Sequence, residues 1–272
     1  MTDAGAAPRS HGHLNPGHDA VRFDRFDIGA GTGELVRHVW VVRWSIPPEA
    51  ALTQRVLTYP AVNVVVMPGG ARLHGPDPRV QSRVLEGSSW AVGVLFRPAA
   101  AALLSQTPAR VLVRGSASGE PIDAPVAAIE EAMALEPDRA RMRLVGLLRA
   151  WLVPLAARVD ERGLLVNRLC RLAEEDESIV RTAQLAERAG IGVRTLERLV
   201  RERVGVTPKW LIECRRLQRA ATALFAGRDE LSDLAAELGY ADYAHFSRRY
   251  AAVLDETPAQ TRRAGELARV RG

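Results

Sequence analysis

Hydrophobic and polar positions along this chain follow two rhythms, and the change falls near residue 120. Between about 21 and 115, short apolar runs at 35–44, 61–67 and 90–96 are rich in Val and aromatic residues. Pro and Gly punctuate them at Pro47-Pro48, Pro68-Gly69-Gly70 and Gly75-Pro76. Short strands between such turn signals predict a small β-barrel or sandwich. One helical interruption is expected at 98–105, where Pro98 suits a first helical turn and an Ala-Leu run follows. Beyond 120 the period becomes helical. Helices are expected at 126–135 and at 139–153, the second with Leu144, Leu147, Leu148, Trp151 and Leu152 near one face and Pro154 ending or kinking it. From Gly163 onward the whole pattern reads as helix, starting with 164–174.

The last third repeats itself. Leu185-Ala186-Glu187-Arg188-Ala189-Gly190 returns 49 residues later as Leu234-Ala235-Ala236-Glu237-Leu238-Gly239. Arg198 answers Arg248, and Thr207-Pro208 answers Thr257-Pro258, both at an offset of 50. The extra residue falls between glycine and arginine, where a turn absorbs it. Each copy reads as a short helix, a Gly-centred turn and a second helix with one polar face, the pattern of a helix-turn-helix. A long helix at 208–226 separates the copies, started by the capping Thr207 and by Pro208.

In the first copy, Leu196, Leu199 and Val200 have the spacing of a buried stripe, which turns Arg194, Arg198 and Arg201 outward with Thr195 and Glu197 beside them. Arg can bond guanine O6 and N7 together, and Glu can accept from cytosine N4. The plainer alternative is a solvated face with Glu197 and Arg201 as an i,i+4 pair, worth only a few tenths of a kcal/mol. In the second copy, Asp242 is a natural N-cap for a helix at 242–253, with Phe246 and Tyr250 as core anchors. Tyr243, His245, Arg248 and Arg249 are left for the outer face, although Tyr243 also suits packing against the turn.

A chain of 272 residues that is 47% hydrophobic can bury a sizeable core and predicts about two domains. Its net charge of +5 permits a nucleic-acid partner without requiring one. Lys209 is the only lysine, so arginine carries nearly all the positive charge and any single arginine counts for little. Cys170 and Cys214 are too few for a disulfide framework and fit a reducing cytosol. No apolar run approaches the roughly 18 residues of a membrane span, and no secretion signal opens the chain, so a cytoplasmic protein with no membrane partner is expected. Residues 1–19 lack periodicity and are expected to be disordered, with His11, His13 and His18 in a polar tail or, less simply, holding a metal. No cofactor, metal site or catalytic motif is expected. His38 and His74 stand alone, and no nucleophile elbow, zinc motif or phosphate loop occurs.

The ordered run Leu185-Ala186, Gly190, Arg194-Thr195-Leu196, Arg198, Gly205-Val206-Thr207-Pro208, Arg215-Arg216-Leu217, Ala220 and Leu224 resembles the first half of the AraC/XylS DNA-binding domain. Leu231, Leu234-Ala235, Leu238-Gly239-Tyr240, Asp242-Tyr243, Phe246-Ser247-Arg248, Tyr250 and Thr257-Pro258 resemble its second half. The resemblance implies two helix-turn-helix units joined by a long helix and acting on transcription, as activator or repressor. It also implies base reading by Arg194, Thr195, Glu197 and Arg198, then by Tyr243, Ala244, His245 and Arg248. The sequence departs from the family at Gly192, where a capping Ser is common, and at Val200, where Phe is usual. Asp255 replaces the Gly of the second Gly-x-Thr-Pro, and Gln260-Thr261-Arg262 replaces a Tyr-Arg ending.

The segment with His38-Val39-Trp40, Trp44, Tyr59-Pro60, Asn63, His74-Gly75-Pro76 and 92–98 resembles an uncharacterised N-terminal domain type found in such regulators. Trp40, Trp44, Tyr59, Trp90 and Arg97 are candidates to line a small-molecule pocket, with core packing as the simpler role for the aromatics. Arg97, beside a helix start, could hold an anion or a loop carboxylate. The expected fold class is therefore α+β. It comprises a tail at 1–19, a β-rich barrel or sandwich for sensing or dimerisation at 20–120, a helical connector at 121–165 and an all-α double helix-turn-helix at 166–268. Double-stranded DNA is the expected partner. A small-molecule effector, RNA polymerase and a second copy of the chain are further candidates.

Overall fold

A computed structural model describes residues 19–57, 59–114, 118–227 and 230–271. The expected tail thus lies, but for Asp19, outside the described residues. The β-rich region begins with β1 (Val21–Phe26), β2 (Val36–Ser45), β3 (Leu52–Leu57), β4 (Asn63–Met67), β5 (Gly70–His74), β6 (Val80–Leu85) and β7 (Ser88–Phe96). A 3-10 turn at Pro98–Ala100 leads into α1 (Ala101–Leu104), followed by α2 (Ala109–Arg114) and the short β8 (Glu120–Pro121). Six strands form one antiparallel sheet in the order β1-β2-β7-β4-β5-β8, and β3 pairs only with β6. Among the described residues the sheet does not close into a barrel. The expected barrel or sandwich resolves as an open sheet with a two-stranded ribbon beside one face.

Strand alternation sends successive side chains to opposite faces. Val39, Val64, Val66, Val92, Val94 and Phe96 form the core face, covered by α3 (Val126–Met133) and α4 (Pro137–Ala156). Leu144, Leu148 and Leu152 are the buried stripe of α4, with Leu147 and Trp151 half-buried beside it. Pro154 neither ends nor precedes the end of α4 by more than two residues. It sits in the last turn, where one missing intrahelical bond removes little. The other face carries Trp40, Val42 and Trp44, joined by Leu52 and Leu85 from the ribbon.

Helices complete the chain: α5 (Glu161–Glu175), α6 (Thr182–Ala189), α7 (Val193–Arg203), α8 (Pro208–Phe225), α9 (Leu231–Glu237), α10 (Tyr243–Leu254) and α11 (Pro258–Arg271). Asp160 caps α5 by accepting from the Gly163 N–H at 2.7 Å. The expected division between 165 and 166 falls inside α5, which is shared by both halves. Its Asn167 accepts from the Ala99 N–H at 2.9 Å and donates to the Glu34 carbonyl at 2.7 Å. Two further cores lie below, one around α6 and α7, the other around α9 and α10, with α8 contributing to both. Within α8, Arg215 is buried and donates to the carbonyls of Ala173 (2.9 Å), Asp176 and Ile179 (2.8 Å), fastening the loop after α5.

Candidate nucleic-acid interface

The two repeats share one local geometry. Gly190 ends α6 with φ +68°, a left-handed conformation that a residue without Cβ adopts freely, and the equivalent Gly239 has φ +74°. The Gly190 N–H donates to the Glu187 carbonyl at 3.0 Å and the Ile191 N–H to Ala186 at 3.1 Å. In the second unit the Gly239 N–H donates to Ala236 at 2.8 Å and the Tyr240 N–H to Ala235 at 2.9 Å. Each pair satisfies carbonyls that the helix end would leave open and fixes the angle at which the next helix departs. Asp242 caps α10 through the His245 N–H at 2.6 Å, whereas Gly192 gives α7 no side-chain cap. Gln184 closes the start of α6 by accepting from the N–H groups of Val180 (3.0 Å) and Arg181 (2.9 Å).

On α7, Leu196, Leu199 and Val200 are buried. Arg194, Thr195, Glu197, Arg198 and Arg201 are all exposed, so the apolar stripe turns the five expected residues outward together. The ion pair found there is Arg198 with Glu202 at 3.7 Å, and not Glu197 with Arg201. Arg162 also reaches Glu202, at 3.0 Å. Arg194 and Arg201 have no ion pair among the described residues.

On α10, Phe246 and Tyr250 are fully buried, as the spacing predicts. Ala244, His245 and Arg248 are exposed. Tyr243 is half-buried, its ring 6.2 Å from that of Phe246 against the second core, so it offers an edge rather than a whole ring. His245 lies edge-on to Tyr240 with centroids 5.4 Å apart. Arg249 is placed differently from its neighbours. Its guanidinium donates two hydrogen bonds, each 2.6 Å, to the two carboxylate oxygens of Glu213 on α8. That bonding raises the Arg249 pKa above its ordinary value. The Arg249 side chain therefore ties α10 to the joining helix, while 43% of it stays exposed. No local pattern in the sequence marks that pair, because its members are 36 residues apart. The same holds for Arg216, whose guanidinium stacks 3.8 Å above the Tyr240 ring.

The five candidate pocket residues do not converge. Trp40 and Trp44 share one face of the sheet, while Trp90 packs into the core on the other. Trp40 pairs with Gly93 of β7 and stacks on Phe23 at 6.2 Å. The Trp44 indole N–H donates to the Glu86 carbonyl at 3.1 Å, and Arg97 donates to the Gly33 carbonyl at 3.2 Å. Tyr59 lies at the junction with α5. Its hydroxyl donates to Glu174 at 2.8 Å while Arg37 stacks 3.9 Å over its ring and bonds the same carboxylate. Burial pushes the Glu174 carboxyl up, but the Arg37 hydrogen bond and charge, with the Tyr59 hydroxyl, bring it below its ordinary value. Alternation along a strand tells which residues share a face only once the register is known, and the register is what separates Trp90 from Trp40. Cys170 and Cys214 are buried and form no disulfide, and burial pushes both thiols up, which leaves little thiolate for chemistry. Among the described residues no helix is long and apolar enough to cross a membrane, and no three potential metal ligands gather.

Two helix-turn-helix units with matching turns and outward polar faces, joined by an 18-residue helix about 27 Å long, define a double helix-turn-helix protein. Residues 185–264 match the family profile of a helix-turn-helix domain, and residues 33–117 match that of a domain of unknown function, DUF6597. A stretch of 103 residues is 28% identical to the HTH-type transcriptional activator RhaS of Yersinia pestis (strain Pestoides F). That match covers 38% of this chain and 38% of the relative, so the chain spans well under half the length of the curated relatives it matches. Among solved structures, an AraC-type regulator from Chromobacterium violaceum is 27% identical with TM-score 0.35, covering 38% of this chain and 92% of that one. ToxT of Vibrio cholerae O395 is 10% identical with TM-score 0.44, covering 91% of this chain and all of that one. Over residues 185–264 the chain is thus similar to the helix-turn-helix domains of AraC-type transcriptional regulators.

Proposed function

We propose that this chain is a sequence-specific DNA-binding regulator of transcription that reads two adjacent major-groove segments with α7 and α10. The observation that carries the reading is the repeated unit. In both copies one capped turn aims a helix whose inner stripe is buried and whose early outer positions are polar and exposed. Arg194, Thr195, Glu197, Arg198 and Arg201 would face one segment, and His245, Arg248 and the exposed edge of Tyr243 the other. Arg249 is assigned to holding α10 in place. The β-rich region would modulate binding by taking up a ligand or partner, and Arg37, Tyr59 and Glu174 form a junction through which its state can reach α5.

The test is selection of duplexes from a randomised pool by the purified full chain at two salt concentrations, followed by the same measurement on Arg198→Ala and Arg248→Ala. The expected result is a bipartite motif whose halves lie about one helical turn apart, roughly 34 Å. Each substitution should cost about 1–3 kcal/mol and relax preference within its own half. Retention of full specificity by both variants would refute the residue assignment. Absence of binding at low salt would refute the DNA reading, because phosphate contacts strengthen as salt falls.

A further inference from the structure

The β-rich region touches the two helix-turn-helix units at equivalent places. Each recognition helix ends in a turn with left-handed backbone, at Gly205 (φ +84°) after α7 and at Asp255 (φ +54°) after α10, and these positions are one repeat apart. The first turn is met by α2. Val113 packs against the core of the first unit, and a methyl group at Gly205 would overlap the Ala109 carbonyl. The second turn is met by the β3–β6 ribbon. Leu57, fully buried, is part of the second unit's core with Leu217, Leu224, Tyr250 and Leu254. Gln218 of α8 donates to the Leu57 carbonyl at 3.3 Å. Two positions earlier on β3, Arg55 donates to the Leu254 carbonyl with one guanidinium nitrogen and bonds Glu256 with the other. The side chains of that ion pair are only 23% and 17% exposed, so solvent screens it weakly.

We propose that Arg55 is a positioning residue for DNA recognition. By gripping the turn after α10 it sets the separation of α10 from α7, and with it the base-pair spacing that the chain reads. The inference rests on the two-segment reading above. Its physical basis is that both recognition helices are held from behind, at their C-terminal ends, by one N-terminal region, while the outward positions of both stay exposed. A two-stranded ribbon has little stability alone, so β3–β6 takes its place from what it packs against. It rests on Trp44 and Ile46 at its 52/85 end and on the second unit at its 57/80 end. Anything that moves the ribbon therefore moves α10 relative to α7. One base pair of mismatch displaces a half-segment by about 3.4 Å and about 34°, more than two rigidly held helices can absorb.

The experiment uses the full chain and a panel of duplexes in which the two selected half-segments keep their sequence while their spacing is changed by one and two base pairs. The unsubstituted protein should prefer one spacing at least about tenfold over its neighbours, the scale of one mismatched base pair. Arg55→Ala should bind a duplex carrying the first half-segment alone as before, within about twofold, while its spacing preference falls below about threefold. Glu256→Gln, which removes the charged partner and keeps its shape, should flatten the preference in the same way, and decides the matter if Arg55→Ala does not fold. A folded Arg55→Ala with unchanged spacing preference would overturn the proposal. So would a uniform loss of affinity at every spacing, which marks a general loss of stability. If the unsubstituted protein selects no bipartite site, the two-segment reading itself fails and the proposal falls with it.

Discussion

Arg249 provides the sharpest separation between holding a recognition helix and touching DNA. Its partner Glu213 is 8% exposed on α8, and the two 2.6 Å bonds between them are charged on both sides. Replacing Arg249 with Met leaves a largely buried carboxylate without its counter-charge. Breaking a buried pair costs about 3–5 kcal/mol. The Arg249 side chain is 43% exposed, so water can replace part of what it supplied, and about 2 kcal/mol is expected. Glu213→Gln should cost about 1–2 kcal/mol, and the double variant less than the sum of the two, by about 1–2 kcal/mol. Urea unfolding of all four proteins, followed by tryptophan fluorescence and circular dichroism, measures that coupling. The companion measurement is the salt dependence of DNA binding. A lost phosphate contact lowers the slope of log K against log salt by about one, and a lost packing contact does not. Additive costs, or a slope reduced by one in Arg249→Met, would refute the assignment of Arg249 to positioning.

Two other outcomes follow from particular side chains. His38 is buried, and burial with the charges of Arg25, Arg37 and Arg97 lowers its pKa to about 4. The unfolded chain, with an imidazole pKa near 6.5, binds more protons than the folded one between those values, so stability is complete above about pH 6.5 and declines as pH falls toward 4. The loss from this group at pH 5 should be about 2 kcal/mol, and urea midpoints at pH 7 and pH 5 should differ less in His38→Gln than in the parent. Gly205→Ala combines a left-handed backbone with overlap on the Ala109 carbonyl and should cost about 2–4 kcal/mol by thermal unfolding. A cost below about 1 kcal/mol would mean that α2 does not bear on that turn.

The C-terminal architecture was legible because it is local. A buried stripe recurring at helical spacing, a glycine at each turn and Thr-Pro at each restart determine their own structures within a few residues. Helices expected at 208–226 and 242–253 accordingly appear as Pro208–Phe225 and Tyr243–Leu254. The β-rich region was legible in class and in three of its strands, those richest in Val and aromatic residues. β3 and β6, reading Leu-Thr-Gln-Arg-Val-Leu and Val-Gln-Ser-Arg-Val-Leu, carry too few apolar positions to announce themselves. Their place depends on a partner strand and on a second core more than 130 residues away.

What the sequence alone determined, then, is the repeat, the class of unit it encodes and which face of each recognition helix is left polar. The tertiary structure decided what the remaining charges do. Arg249 turns to Glu213, Arg55 to the end of α10, and Arg37 with Tyr59 to Glu174, while Trp90 parts from Trp40 across the sheet. Helical periodicity acts over three or four neighbours and is written in the order of residues. Ion pairs and strand registers join residues tens to hundreds of positions apart, and only the packed chain brings them within reach.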